Sequence, residues 1–510
     1  MSENVNGMTR RKFMAASAMT GVAAGAVGLP AVASAANAGP TAFVGDTPTG
    51  PPANVDLLIT GADIVTFDPK DTVIMGGVIA VTGNKITWMG SAADAAGKYV
   101  GKETLNASGL IAMPGITDTH YHTAQQFLRG LHRVTHRKGP GWKKTLIPFE
   151  SGLEPEDVYA SGLVGYTSMI SAGTTCFLEA GGPHPDDMGR AADEVGIRGR
   201  ISLNTCDMDG DGGPLPKSHI MTTQQALREN EALVKRWKDH PRVNAWLSLR
   251  QILVNTEELR VGMWHLANEL DTVIHTHLSE GTYEIDYTVE NYNLRPPDYF
   301  VKLGIFNNRM HCAHTVLLTP SEVDLYAKYD ASAAHCAFHN YFLGPHRMYD
   351  MVRQNVRVGL GTDGPGSRGT LDMFQVMHYA VQGQTIGYGA PFHAGGPLSY
   401  EKMLKLACVN GARAASLGDK TGSLEVGKLA DIVLVGHDDY DQFSSMDPTI
   451  TLGQNVIGHH VRTTIVDGRI VMKDREFLTV DLEKMRARMK VQYPIIVSRY
   501  EKAISMTSGG

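Results

Sequence analysis

Short apolar runs recur through the middle of the chain, and each is followed by a stretch whose apolar residues have helical spacing. This alternation is typical of parallel strands joined by crossover helices. Eight such units between residues 111 and 420 predict an α/β fold, a closed (β/α)8 TIM-like barrel rather than an open sheet. The predicted strands are Ile116–His120, Thr174–Leu178, Arg200–Leu203, Val243–Leu247, Val273–His277, Arg309–His314, Ala331–His335 and Val358–Thr362.

The two flanks of this region carry β-branched runs separated by turn residues. Residues 39–110 and 421–480 therefore predict one small β-sandwich to which both flanks contribute, with an antiparallel sheet on the N-terminal side. Residues 481–510 predict an amphipathic helix over Leu482–Glu501 and a tail. The predicted flanking strands are Val55–Ile59, Asp63–Phe67, Val78–Val81, Lys85–Trp88, Ala430–Val435 and Arg462–Met472, the last with a hairpin turn at Asp467-Gly468.

Residues 1–38 resemble an export signal rather than part of the fold. Arg10 and Arg11 precede an uncharged, weakly apolar stretch, and Ala33-Ser34-Ala35 is typical of a cleavage site. Paired arginines there resemble a twin-arginine signal, so we expect an exported, periplasmic or extracellular protein. The alternative is a disordered N-terminus with a chance arginine pair. No cysteine lies near the cleavage site, so no lipid anchor is expected.

Composition and charge narrow the classes of function. The chain of 510 residues has a net charge of −6, which provides no basic field for a nucleic acid, and we expect no such partner. Its five cysteines show no C-x-x-C spacing, so buried thiols are expected rather than a disulfide framework. A small-molecule partner is the remaining expectation.

Candidate metal ligands stand at the C-terminal ends of the predicted strands. His120 and His122 alternate at the end of the first strand, so both imidazoles face one side. His277, His314 and Asp363 end the fifth, sixth and eighth strands, at the edge where barrels place their chemistry. Each residue alone has a structural explanation. Together, imidazoles and a carboxylate suit Zn2+ or Fe2+ and disfavour Mg2+ or Ca2+.

Four segments carry a family resemblance. They resemble the amidohydrolase superfamily, in the branch that holds S-adenosylhomocysteine and methylthioadenosine deaminases, guanine deaminase and the triazine hydrolases. The resemblance implies one divalent metal ion, bound by His120, His122, His277 and Asp363. Relatives with two metals need a lysine at the end of strand four, which Val243–Gln251 lacks. The segments are Pro114–His122, His277-Leu278-Ser279-Glu280, Ala313-His314-Thr315-Val316 and Gly361-Thr362-Asp363-Gly364.

The expected chemistry is attack by hydroxide, because a divalent metal lowers the pKa of a bound water from 15.7 towards about 7. We expect Asp363 to take the remaining proton, His314 to polarise the attacked carbon and Glu280 to shuttle a proton. Glu280 could instead orient a ligand imidazole. His335 is expected to be structural, and His275 to point away from the metal or to lie a layer deeper than His277.

The substrate is less well determined. Arg250 stands where many deaminases of this branch carry a Pro-His pair, which argues against a nucleoside. Arg250 or the basic loop Leu131–Lys144 could pair with a substrate carboxylate. Alternatively, the loop is solvated and Arg250 is structural. Trp142, in that loop, and Gln126 are further candidate substrate contacts.

Three functions remain open at this stage. The first is hydrolysis of an amide, urea or carbamate C–N bond in a small molecule. The second is removal of an amino or chloro substituent from an N-heterocycle or nucleoside. The third is a non-catalytic binding protein on an amidohydrolase barrel, which the intact set of ligands disfavours. The family resemblance favours a homo-oligomer.

Overall fold

The computed structural model describes residues 50–508 except 132–139, 368, 394, 438–439, 441 and 443–445. The predicted signal, residues 1–38, and most of the basic loop lie outside the described residues. In chain order the strands are β1 (Ala53–Val65), β2 (Val73–Thr82), β3 (Lys85–Gly90), β4 (Tyr99–Asn106), β5 (Leu110–Pro114), β6 (Ile116–Tyr121), β7 (Thr174–Glu179), β8 (Arg198–Ile201), β9 (Val243–Ala245), β10 (Leu247–Gln251), β11 (Ile274–Leu278), β12 (Met310–His314), β13 (Ser332–His335), β14 (Arg357–Leu360), β15 (Ile432–Gly436), β16 (Val461–Val466), β17 (Arg469–Lys473) and β18 (Glu476–Phe477).

The crossover connections are helical, as the spacing predicts. The helices are α1 (Ala92–Ala95), α2 (Gly141–Lys144), α3 (Leu146–Glu150), α4 (Pro155–Ser171), α5 (Pro185–Val195), α6 (Thr223–Trp237), α7 (Glu257–Glu269), α8 (Thr282–Tyr292), α9 (Pro296–Lys302), α10 (Pro320–Tyr329), α11 (Ala337–Leu343), α12 (Met348–Arg353), α13 (Met373–Gln384), α14 (Tyr400–Lys405), α15 (Gly411–Ala414), α16 (Pro448–Gln454) and α17 (Leu482–Ser508). Their ends follow local chemistry. In α10, Thr319 and Glu322 form a reciprocal capping box, and Asp330 ends the helix at φ 53°. None of the described helices is long and apolar enough to cross a bilayer.

The eight predicted barrel strands are all present and parallel. β6 to β9 pair in order, and so do β10 to β14. β9 and β10 are two halves of the fourth strand, interrupted at Trp246, whose N–H donates to the Ile201 carbonyl at 3.1 Å. The first and eighth strands are joined where the Asp363 N–H donates to the His120 carbonyl at 2.9 Å. The predicted (β/α)8 barrel is confirmed.

Both flanks meet in a single sheet of nine strands. Its order is β18-β17-β16-β15-β5-β1-β2-β3, with β4 beside β1. β5 pairs antiparallel with β15 and leads through Gly115 into the first barrel strand, so it joins the two flanks to the barrel. The sheet has an apolar core of its own, to which β1, β2, β15 and β16 all contribute buried aliphatic side chains.

Two details of the N-terminal sheet differ from the prediction. The sheet is mixed rather than antiparallel, because β1 pairs parallel with both β4 and β5. The predicted strands Val55–Ile59 and Asp63–Phe67 are one strand, β1. Gly61 adopts φ 80° within it beside a register shift, so the chain bends there without a turn.

A buried ion pair ties the barrel to the nine-stranded sheet. Arg198 of β8 donates from Nε and Nη2 to the two carboxylate oxygens of Asp431, at 2.9 and 3.0 Å. Its Nη2 also lies 3.1 Å from Asp467 in the β16–β17 hairpin. The Arg198 side chain is 4% exposed and that of Asp431 2%, so the bidentate pair is largely shielded from water.

Loss of this pair should destabilise the fold. Asp431→Ala leaves the Arg198 charge buried beside Asp467 alone, and we expect the free energy of unfolding to fall by about 3–5 kcal/mol. Denaturant titration followed by circular dichroism measures this change. The matched control is Asp271→Ala, which removes the 89% exposed partner of Arg309 and should change stability by less than about 1 kcal/mol. Equal effects of the two changes would contradict the role given to the pair.

Candidate metal centre

The C-terminal ends of three barrel strands, β6, β11 and β14, bring the four predicted ligands together. His120 and His122 alternate at the end of β6, and His277 stands near the end of β11, so their rings converge inside the barrel. His120 Nε2 lies 3.2 Å from Asp363 Oδ1, and His122 Nε2 lies 3.6 Å from the same oxygen. His277 Nε2 lies 3.3 Å from His122 Nε2. All four side chains are buried.

The hydrogen bond of His277 determines its tautomer. Its Nδ1–H donates to the Arg250 carbonyl at 2.7 Å, so neutral His277 has its lone pair on Nε2. That lone pair faces His122 Nε2, whose own Nδ1 is buried without a partner among the described residues. Burial lowers the pKa of both rings well below the ordinary histidine value, and the nearby Arg250 charge lowers it further. Two neutral imidazoles and a carboxylate facing one point fit a divalent cation.

His275 lies one layer deeper, as expected. Its ring stacks on His120 at 5.0 Å between centroids, and its Nε2 lies 3.0 Å from His120 Nδ1. Below it, His311 is hydrogen-bonded through Nε2 to the Thr119 carbonyl at 2.8 Å. His275 therefore orients the His120 ring so that Nε2 points towards Asp363.

Asp118 is a functional residue that the sequence analysis missed. Its Oδ1 accepts from the N–H groups of His120 and Thr362, at 3.2 and 3.0 Å. Its Oδ2 accepts from the Thr362 hydroxyl at 2.5 Å. Asp118 thus connects the first strand to the end of the eighth through hydrogen bonds, and it holds His120 beside Asp363. The sequence did contain a signal for this residue. Asp118, His120 and His122 are alternate residues of the first strand, so their side chains lie on the same face.

The backbone is strained where the ligand-bearing strands end. Asp363 and His314 adopt φ 60° and 71°, and Thr315, a β-branched residue, adopts φ 50°. Such residues rarely occupy the left-handed region, and they do so mostly at functional sites. The surrounding hydrogen bonds hold these side chains at the barrel mouth.

The amide of Asn340 determines the tautomer of His314. Asn340 Nδ2 donates to the His314 carbonyl at 3.0 Å, so its Oδ1 faces His314 Nδ1 at 3.1 Å and accepts from it. His314 Nδ1 therefore carries a proton, and Nε2 is the ring nitrogen left to contact a substrate or a developing oxyanion. His335 is buried and hydrogen-bonded to Asn340, in agreement with its expected structural role.

Glu280 is held at the edge of the same centre. Its Oε2 accepts from Gln251 Nε2 at 2.8 Å and from the Tyr283 hydroxyl at 2.9 Å. Burial raises its pKa, but the positive charge on His314 and a hydrogen bond from His339 outweigh it and bring the pKa to about 2. Glu280 is thus ionised at neutral pH and begins as a proton acceptor.

His339 is a second residue that the sequence analysis missed. It belongs to α11, and its Nε2 lies 3.5 Å from Glu280 Oε1. Its Nδ1 lies 3.8 Å from Asp363 Oδ2. His339 therefore lies between Glu280 and Asp363, two of the predicted proton carriers. No strand pattern marks a helical histidine of this kind, so the sequence held little signal for it.

The three candidate substrate contacts have different positions. Trp142 is buried in α2, with its ring 5.1 Å from the Arg250 guanidinium carbon, so these two lie together. Gln126 is not at the centre. Its N–H donates to Ser161 of α4 at 3.3 Å, and a Cβ built on Gly165 of α4 would lie 3.5 Å from its Oε1. Its neighbour Gln125 faces the polar interior and donates to Glu150 at 2.7 Å.

Removal of the Asp118 carboxylate should weaken metal binding. Asp118→Ala leaves the His120 and Thr362 donors without an acceptor, and we expect zinc affinity to fall by about tenfold to a hundredfold. Competition with a chromogenic chelator measures this change. Asp118→Asn keeps one accepting oxygen and should give an intermediate loss. Unchanged affinity in the alanine variant would show that Asp118 does not position the ligands.

Comparison with known proteins agrees with this geometry. The model of the amidohydrolase family matches residues 111–471. A 5-methylthioadenosine/S-adenosylhomocysteine deaminase of Acetivibrio thermocellus is 29% identical over 442 residues, which cover 86% of this chain and 98% of the relative. Among solved structures, a zinc-bound adenosine deaminase of Xanthomonas campestris superposes with a TM-score of 0.80 at 25% identity, covering 88% of this chain and all of its own.

The fold extends to a relative that acts on a different kind of compound. The zinc-complexed atrazine chlorohydrolase of Arthrobacter aurescens superposes with a TM-score of 0.75 at 21% identity, covering 86% of this chain and 100% of its own. Membership of this family and the cluster of His120, His122 and His277 support a divalent metal in this centre. The chain belongs to the amidohydrolase family and is a metal-dependent hydrolase of carbon–nitrogen bonds other than peptide bonds.

Proposed function

We propose that one zinc ion is bound by His120, His122, His277 and Asp363, and that the chain hydrolyses a C–N bond in a small molecule. The observation that carries this proposal is the meeting of three imidazole rings and one carboxylate oxygen, with contacts of 3.2–3.6 Å between their nitrogen and oxygen atoms, in the buried mouth of the barrel. A divalent cation is the ligand that such a set of nitrogen and oxygen donors would hold. Iron(II) would satisfy the same ligands.

A single ion suits this donor set better than two. The fourth barrel strand, β9 and β10, holds no lysine that could be carboxylated to bridge a second ion. The cationic Arg250 lies near the end of that strand instead. Its charge is close enough to lower the pKa of His122 and His277. A second divalent ion beside that charge would be repelled.

When bound, the ion would supply a water molecule with its pKa lowered towards about 7 and would polarise the attacked group. Asp363 would accept a proton from the attacking water through Oδ2, the oxygen that faces neither His120 nor His122. His314, with Nδ1 bonded to Asn340, would hydrogen-bond the developing oxyanion through Nε2–H in its imidazolium form. These residues are buried, so their electrostatic effects are not weakened by bulk water.

Glu280 would complete the proton transfer. It starts ionised, so it accepts a proton near the centre and passes it to the departing nitrogen. Gln251 and Tyr283 hold its Oε2, which leaves Oε1 directed towards His339. The C–N bond breaks as the nitrogen takes that proton, and the amine or ammonia leaves neutral.

Two reaction types share this machinery. The names of the relatives favour deamination of an N-heterocycle, with release of ammonia. Hydrolysis of an amide, urea or carbamate uses the same attack and the same proton carriers, and a dechlorination differs only in its leaving group. A non-catalytic barrel would have no use for the ionised Glu280 and the oriented His314, so we place that alternative last. Export through the N-terminal signal and assembly into a homo-oligomer stay predictions from the sequence.

Metal removal should abolish turnover. We expect protein stripped with a chelator to lose its activity on a panel of amides, ureas, carbamates and amino-heterocycles, and zinc to restore it. His277→Gln should lose both the metal and the activity, because it removes the imidazole that Arg250 orients. His378→Gln is the matched control, since His378 bonds to the Gly453 carbonyl outside the centre. Metal content by mass spectrometry and product release decide the outcome. Full activity in stripped protein would overturn the proposal.

A further inference from the structure

Among the residues that the structure describes, the guanidinium of Arg250 is buried without a hydrogen-bond acceptor. Arg250 is 3% exposed, and within the part of the chain that the structure describes its side chain has neither a hydrogen bond nor an ion pair. The other two buried arginines differ. Arg198 is paired with Asp431, and Arg260 donates to the Ile252 carbonyl at 3.0 Å and to tyrosine hydroxyls. An unpaired buried cation is unfavourable unless a ligand completes it.

Arg250 lies near the end of β10, at the mouth of the barrel. Its charge lowers the pKa of both His122 and His277, so its guanidinium lies close to these rings. Trp246 packs 5.5 Å from both His275 and His311 between ring centroids, in the layers below the metal centre. Arg250 therefore faces the interior one level higher, where His122 and His277 lie, and its own carbonyl accepts from His277.

Trp142 lies between Arg250 and Glu280, the predicted proton shuttle. Its ring lies 5.1 Å from the guanidinium carbon, and its Nε1–H donates to the Tyr283 hydroxyl at 3.3 Å. Tyr283 in turn donates to Glu280 at 2.9 Å. An aromatic ring over the guanidinium attracts the cation and leaves the N–H donors at its edge available.

Glu150 is a nearby counter-charge of Arg250 but does not accept a hydrogen bond from it. Burial raises the pKa of Glu150, but the hydrogen bond of His219 and the charge of Arg250 outweigh burial and bring this pKa to about 2. Glu150, a buried carboxylate of α3, accepts from Gln125 at 2.7 Å and from Asn204 at 2.8 Å. Lys143, the other buried cation of this region, donates to carbonyl oxygens of the loop after β8, at Asp209, Gly210 and Asp211. Among the described residues the guanidinium of Arg250 therefore has no hydrogen-bond acceptor, and a carboxylate on a ligand would supply one.

We propose that the substrate carries a carboxylate and that Arg250 binds it beneath Trp142, while the scissile C–N bond lies at the metal. The proposal rests on the proposed function, since it places the reacting bond at the same centre. A carboxylate fits the fork of N–H donors in a bidentate pair. A doubly charged phosphate would need a second free cation, which the described residues do not supply there.

Binding of simple probes tests this proposal without turnover. Isothermal calorimetry compares 3-phenylpropionate with the neutral 3-phenylpropanol and with phenyl phosphate, on metal-loaded and on metal-stripped full-length protein. We expect 3-phenylpropionate to bind at least about tenfold more tightly than the alcohol in both forms. Arg250→Met should abolish that preference, and Arg250→Lys, which keeps the charge but not the fork, should keep part of it. The control is Arg228→Met, which makes the same chemical change on an exposed position of α6.

Three results would overturn the proposal. The first is equal binding of acid and alcohol by the unaltered protein, or no binding of either. The second is a preference for the acid that survives Arg250→Met and disappears with the metal, because the carboxylate would then be a metal ligand. The third is tighter binding of phenyl phosphate than of the carboxylate. Because no reaction is measured, failure of the chain to hydrolyse its substrate panel would contradict the proposed function and leave this result unaffected.

Discussion

The structure depends on the burial of neutral imidazole rings whose nitrogens face one another and one carboxylate group. His122 and His277 present ring nitrogens 3.3 Å apart, and Asp363 lies beside His120 and His122. Where these atoms are unprotonated they repel one another in a medium of low dielectric constant. A divalent cation among them would replace that repulsion with attraction, and the proposed ion would then stabilise the fold as well as the site.

The surrounding fold supplies the rigidity that this arrangement needs. Alternation along β6 sets Asp118, His120 and His122 on one face, and Asp118 holds β6 against the residues that follow β14. The left-handed backbone at Asp363 persists because its own N–H is bonded to the first strand. The buried pair of Arg198 and Asp431 then joins the barrel to the sheet that both flanks build. Thus the site is held by strands rather than by mobile loops.

The sequence predicted the barrel, its eight strands and the residues that meet at its mouth. These predictions succeeded because the periodicity of apolar residues and the ends of strands are visible in the local sequence. Every predicted ligand lies at or near the C-terminal end of a strand. Contacts between distant elements escaped prediction. His339 belongs to a helix, Asp118 acts through hydrogen bonds to the eighth strand, and Gln126 turns towards α4 although its neighbour Gln125 faces the interior. The tautomer of His314 likewise depends on Asn340, which pattern alone cannot orient.

The central claim is that one cation occupies the point where His120, His122, His277 and Asp363 converge. Anomalous diffraction at the zinc absorption edge, from crystals of the zinc-loaded protein, tests it most directly. The account predicts one strong anomalous peak per chain, within bonding distance of those three imidazoles and the Asp363 carboxylate. Two peaks, or a single peak bound by other residues, would contradict it.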